Sequence, residues 1–201
     1  MHTLYCSKTS PFARKVRVVV RELGIQDLID EVLVDPFDPS PEFLACNPMS
    51  RIPALSTDRG QTLSDSKLIA EYLLRLRPGV LIAPRGGQRW AHLQRAYLAE
   101  GILEAAVGTV LEKRRPESII YTSYLDRQAA AIRRTLDALE RDVGQLKLHN
   151  PWLAEITTGV ALGYLDFRMP YLEWREGREG LSGWFRQFAQ RPAMRTTQPG
   201  A

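Results

Sequence analysis

The sequence predicts an α/β domain followed by an all-α domain, and three observations predict it. Up to about residue 77, short β-prone runs alternate with segments of helical periodicity. Residues 77–87 then gather Pro78, Gly79, Pro84, Gly86 and Gly87, the composition of a linker. Beyond them every periodic segment has helical spacing. The expected bounds are 1–77 for the first domain, 78–87 for the linker and 88–201 for the helical domain.

Residues 2–6, His-Thr-Leu-Tyr-Cys, are short and β-prone and run into polar residues, so a first strand ends near Cys6. A helix is expected from Pro11 to Leu23. Phe12, Val16, Val19, Val20 and Leu23 form its apolar stripe, Ser10 before Pro11 is an N-cap signature, and Gly24 suits a left-handed C-terminal cap. Glu31–Val34 reads as a second strand, parallel to the first across that crossover helix. Four prolines between 35 and 50 exclude a long element and leave room for a short helix at 41–45. Pro53–Ser56 and Gln61–Leu63 flank a Gly60 turn as a hairpin. A helix then starts near Ser64-Asp65-Ser66 and carries Leu68, Ile69, Tyr72, Leu73 and Leu76. In the second half, 88–112, 119–148 and 156–172 each read as one helix, the last apolar on nearly every side and so central to a bundle.

Hydrophobic residues make up 44% and charged residues 25%, within the usual range of globular proteins. The net charge of +4 raises nucleic acid or an anionic membrane as partners, but residues 1–80 carry 10 basic and 10 acidic side chains, so the excess is modest and diffuse. Neither partner is expected. Lys113-Arg114-Arg115 is the densest basic cluster and suits a solvated helix end. The 2 cysteines and 3 histidines stand apart, so neither a disulfide framework nor a metal site is supported, and a reducing cytoplasm is the natural compartment. No apolar run suggests a signal peptide or a membrane span.

Four stretches carry a resemblance over nearly the whole chain: 10–17 (Ser-Pro-Phe-Ala-Arg-Lys-Val-Arg), 47–55 (Asn-Pro-Met-Ser-Arg-Ile-Pro-Ala-Leu), 65–73 (Asp-Ser-Lys-Leu-Ile-Ala-Glu-Tyr-Leu), and 181–199 with Trp184, Phe188, Arg191-Pro192-Ala193, Thr197 and Pro199. In order and spacing they resemble the glutathione S-transferase family. The resemblance implies a thioredoxin-like N-terminal domain, βαβ then ββα, followed by an all-helical C-terminal domain. It implies a cytoplasmic homodimer that uses glutathione as co-substrate, without a metal, to conjugate a small electrophile in detoxification chemistry.

By the same resemblance Ser10 is the active-site hydroxyl, donating to the sulfur of glutathione and favouring its thiolate. On the residues alone, Ser10 is equally a helix cap, and Thr9 is a neighbouring hydroxyl. Phe12, Arg51, Ile52, Pro53, Asp65 and Ser66 would hold the tripeptide. Pro53 matches the family's cis-proline, which turns the Ile52 backbone toward an extended peptide. Asp65 would meet the γ-glutamyl ammonium and Ser66 its carboxylate, although the same pair also serves as a helix cap. Arg51 supplies charge for the glycyl carboxylate or is a surface residue. The second substrate is expected between the turn after the first strand and the fourth helix, with Tyr97, Gly101, Glu104, Ala105 and Gly108 as candidates; some of these also suit core or dimer contacts. One departure stands out: Thr157-Thr158-Gly159-Val160 puts valine where a Ser/Thr-x-x-Asp capping box has its acid. Two other readings remain open. One is a non-catalytic module that keeps the fold for protein contacts, and the other is a glutathione-dependent thiol-disulfide reductase using Cys6.

Overall fold

The structure, a computed structural model, describes residues 1–77 and 86–200. It divides into two compact units: residues 1–82 together with 192–201, and residues 83–191. Most of the linker expected at 78–87 lies outside the described residues.

The first unit contains β1 (His2–Cys6), α1 (Pro11–Leu23), β2 (Ile29–Leu33), α2 (Pro41–Cys46), β3 (Ala54–Ser56), β4 (Thr62–Ser64) and α3 (Ser66–Leu76). The sheet order is β2-β1-β3-β4, with β1 parallel to β2 and antiparallel to β3. This is the expected thioredoxin-like arrangement. α1 forms because Ser10 and Pro11 open it and Gly24, at φ 63, closes it in a conformation that a side chain resists. Val16, Val18, Val19, Val20 and Leu23 are buried, as are Leu4, Cys6 and Leu55 of the sheet and Ile69 and Leu73 of α3. The second strand starts two residues earlier than expected, at Ile29.

The second unit is helical: α4 (Gln88–Glu112), α5 (Thr122–Arg141), α6 (Leu153–Arg168) and α7 (Glu179–Phe188). The expected single helix over 119–148 is broken at both ends. Residues 117–119 and 143–145 are 3₁₀ turns, and the buried Leu146 continues the apolar spacing after the α-helix has stopped at Arg141. α6 ends at Arg168, short of the expected 172, because Pro170 cannot donate to an α-helical ladder and opens a 3₁₀ turn instead.

α6 also corrects the reading of its capping box. Thr157 and Thr158 lie inside the helix, and Thr157 Oγ1 donates to the Leu153 carbonyl at 2.7 Å. The acid of the cap is Glu155, fully buried, which accepts from the Trp152 N–H at 2.8 Å and from the Lys147 N–H at 3.4 Å. Trp152, at the capping position, has no acceptor to return. The Nε2 of the fully buried His92 on α4 accepts the Ala154 N–H at 3.4 Å. That bond joins the N-terminal ends of α4 and α6.

The last residues return to the first unit, although they were expected with the helical domain. α8 (Pro192–Arg195) packs on α1.

Candidate functional site

Sheet register assembles the site. Tyr5 stands opposite Ala54, and Ala54 stands opposite Ser64. One residue past Tyr5, β1 ends and the Ser7–Ser10 turn begins. The residue before Ala54 is Pro53, and the residue after Ser64 is Asp65. The three predicted motifs therefore meet at one end of the sheet, although 55 residues of sequence separate Ser10 from Asp65.

Ser10 caps α1. Its backbone is extended (φ −76°, ψ 123°), its Oγ accepts the Ala13 N–H at 3.2 Å, and its own N–H donates to Ser7 Oγ at 3.2 Å. The hydroxyl proton remains available to a ligand, and Ser10 is only half-buried, beside the half-buried Phe12. Thr9, the neighbouring hydroxyl, is exposed and caps nothing. The position is electropositive because the first amides of α1 have no intrahelical acceptor.

The Ile52–Pro53 bond is cis, as expected. Arg51 is exposed, and its carbonyl accepts from Asn47 Nδ2 at 2.7 Å, which holds the approach to the proline.

Asp65 opens α3 with Oδ1 accepting the Lys67 N–H at 2.7 Å. Its φ of 79° is a left-handed value for a non-glycine residue, a strain of about 1–3 kcal/mol of the kind that clusters at ligand sites. Sequence reasoning found the residue and missed the strain. Ser66 beside it is 3% exposed.

Cys6, the competing nucleophile, is fully buried on β1. Burial and the Glu31 carboxylate push its thiol up to about 11, against the opposing charges of Arg17 and Arg21. It is a neutral thiol at physiological pH and a poor nucleophile. Burial also pushes the Glu31 carboxyl up, but Arg21 and Arg17 outweigh that and hold it low, each through a 2.7 Å hydrogen bond. Cys46 is half-buried, and its thiol is raised by burial.

Arg14 is a feature that periodicity does not reveal. One turn past Ser10, its guanidinium is 5% exposed and donates to the Met194 carbonyl at 3.1 Å and, at 3.5 Å, to Thr197 Oγ1. The only available signal was the pairing of the 10–17 and 181–199 stretches in the resemblance.

In the second unit, Tyr97, Gly101, Glu104 and Ala105 line a cavity of about 420 Å³ with Tyr124, Gln128, Ala131 and Thr135 of α5. Gly108 is not on that lining; the Tyr124 hydroxyl lies over it where a side chain would otherwise stand. A larger hollow of about 490 Å³ around Trp174 is lined by Asp166, Glu173, Arg175 and Glu176. Asp166 there accepts from Arg175 at 2.6 and 2.7 Å and from Trp174 Nε1 at 2.7 Å. Among the described residues no group of three His, Cys, Asp or Glu side chains could hold a metal ion, and no helix is long and apolar enough to cross a membrane.

Family models match both units: glutathione S-transferase, N-terminal domain, over residues 9–76, and glutathione S-transferase, C-terminal domain, over 122–187. An uncharacterized GST-like protein of Escherichia coli, YibF, is 32% identical over 197 residues, 96% of each chain. Among solved structures, a glutathione transferase family member from Pseudomonas fluorescens with bound glutathione is 36% identical over 100% of both chains, with a TM-score of 0.94. A glutathione S-transferase from Methylobacillus flagellatus, also with glutathione bound, is 33% identical over 99% of this chain and 100% of that one, with a TM-score of 0.90. With its four-stranded sheet, its cis-proline and its helical second unit, the chain belongs to the glutathione S-transferase family.

Proposed function

We propose that the protein is a glutathione transferase that holds glutathione at the end of its sheet and presents the sulfur as thiolate to a small electrophile. The observation that carries this reading is the register Tyr5–Ala54–Ser64, which gathers Ser10, Pro53 and Asp65 at one place. The Ser10 O–H donates to the sulfur while its oxygen keeps the Ala13 amide. The thiol proton leaves to solvent, the sulfur forms a bond to the electrophilic carbon, and a leaving group departs or a double bond is saturated. Asp65 meets the γ-glutamyl ammonium, Ser66 and the start of α3 its carboxylate, Ile52 and Pro53 the peptide backbone, Arg51 the glycyl carboxylate, and Phe12 the apolar wall. No general base is required, because Ser10 is not the attacking atom.

For the electrophile, the cavity with Tyr97, Gly101, Glu104 and Ala105 is the candidate. A side chain at Gly101 would enter open space, so Gly101→Leu should raise the electrophile's KM and leave glutathione affinity unchanged. The homodimer is part of the proposal. Trp90 and Tyr97, 73% and 66% exposed and seven residues apart, share a face of α4 that the helical unit does not cover. The free thiols of Cys6 and Cys46 fit a reducing compartment. A reductase using Cys6 is disfavoured by the burial of that thiol.

Calorimetric titration tests the reading. Saturable glutathione binding at submillimolar to millimolar concentration, weakened by Asp65→Ala and Ser66→Ala, is the expected result. Absence of binding at millimolar glutathione would leave the non-catalytic module as the better account.

A further inference from the structure

Cations gather where α4 and α6 end, and aromatic rings stand among them. Lys113 closes α4, and its Nζ donates to the Tyr171 hydroxyl at 2.9 Å while lying 4.1 Å from the centroid of that ring. Arg168 is in the last turn of α6, its guanidinium 4.2 Å from the centroid of the Phe167 ring. Tyr164, one turn earlier and 4% exposed, has its ring 6.4 Å from that of Phe167. Burial pushes the Tyr164 phenol up, against the charge and a hydrogen bond of Arg168 and the charge of Arg114, the neighbour of Lys113.

A basic side chain at a helix C-terminus is ordinary, since the macrodipole is negative there. That explanation covers too little. Two C-terminal ends supply about half a negative charge each, against the whole charges of Lys113, Arg114 and Arg168. The carboxylates on the same elements are taken by other donors: Glu112 by Arg115 and the Tyr121 N–H, and Asp166 by Arg175 and Trp174. Glu173, beyond the 3₁₀ turn, lines the hollow around Trp174. Among the described residues Lys113 and Arg168 have no carboxylate partner, and Arg168 Nε is buried with no hydrogen-bond partner. Arg114 is already engaged and adds its charge. Nor does a solvated helix end call for exposed rings, yet Phe167 and Tyr171 are 38% and 54% exposed.

Cations with donors to spare suit a negative acceptor, and the rings beside them suit a flat apolar surface. A molecule that carries both is an aromatic carboxylate. We infer that the ends of α4 and α6 together form a binding site for small aromatic carboxylates, in which Arg168 and Lys113 hold the carboxylate and Phe167 and Tyr171 take the ring. The lining of the α4–α5 cavity shares none of these residues, so this is a second site of the helical unit. It stands whether or not the chain is a transferase.

Calorimetry with cinnamate, in the absence of glutathione, tests it, with cinnamamide as the neutral ligand of the same shape. Cinnamate should bind saturably at submillimolar to millimolar concentration and about tenfold more tightly than the amide. Arg168→Met and Lys113→Met should each weaken cinnamate about tenfold and leave cinnamamide unchanged, whereas Tyr171→Ala should weaken both ligands. Damage to the fold would instead lower both affinities alike, together with the melting temperature. Equal affinity of wild type for the two ligands overturns the proposal, as does a folded Arg168→Met that binds cinnamate like wild type. If Arg168→Met does not fold, the exposed Lys113 decides: a weakened carboxylate in Lys113→Met supports the site, and an unchanged one overturns it. Absence of cinnamate binding at millimolar concentration overturns it too, and binding of a polyglutamate peptide in its place would assign the patch to an acidic protein segment.

Discussion

Ser10 Oγ accepts the Ala13 N–H at 3.2 Å, so the residue proposed to touch the sulfur is also the cap of the helix behind it. The two roles separate by substitution. Ser10→Ala should lose about 1 kcal/mol of stability through the cap. Ser10→Gly should recover most of that loss and none of the thiolate. Denaturant unfolding of the two variants beside wild type checks it.

Asp65 combines a cap with a positive φ, and asparagine can supply both. What asparagine cannot supply is the carboxylate charge for the ligand's ammonium. Asp65→Asn should therefore keep its unfolding free energy within about 0.5 kcal/mol of wild type and bind glutathione about tenfold more weakly. Calorimetry and denaturant unfolding on the same preparation measure the two effects.

His92 predicts an acid limb of stability. Burial, and then the charges of Arg95, Lys147 and Arg89, draw its pKa down to about 4, and its Nδ1 has no partner among the described residues. In the unfolded chain it takes up a proton near its ordinary value of about 6.5. Between those values the unfolded state binds more protons, so stability is full above about 6.5 and falls as pH drops toward about 4. The slope from this group is at most about 1.4 kcal/mol per pH unit. His92→Leu should flatten that limb and lower stability at neutral pH, because Ala154 N–H loses its acceptor. Unfolding curves at several values across the window test both.

What was legible in the sequence follows how local the cause is. The ends of α1 could be read because Ser10-Pro11 and Gly24 set them by local chemistry, and α4 ran as far as its periodicity did. The break after Arg141 was hidden because Val143 and Leu146 keep the apolar spacing through a 3₁₀ turn. The cap of α6 was misplaced because the motif was sought at Thr157, whereas the chain uses Glu155 and borrows His92 from another helix. That correction carries a prediction. Glu155→Ala should cost about 2–3 kcal/mol, since it leaves two amides and a buried cap unsatisfied, while Thr157→Val should cost about 1 kcal/mol or less. In the site, Ser10, Pro53 and Asp65 were readable because each is a local backbone device. The burial of Arg14 was not, because its hydrogen bonds reach a C-terminal segment 180 residues away in sequence.

The most direct test of the account is the pH titration of the thiol of glutathione bound to wild type and to Ser10→Ala. The account predicts that wild type holds the thiolate at a pH where free glutathione is still protonated, and that Ser10→Ala binds the tripeptide but returns its thiol toward the free value. A Ser10→Ala protein that binds glutathione and titrates like wild type would contradict it.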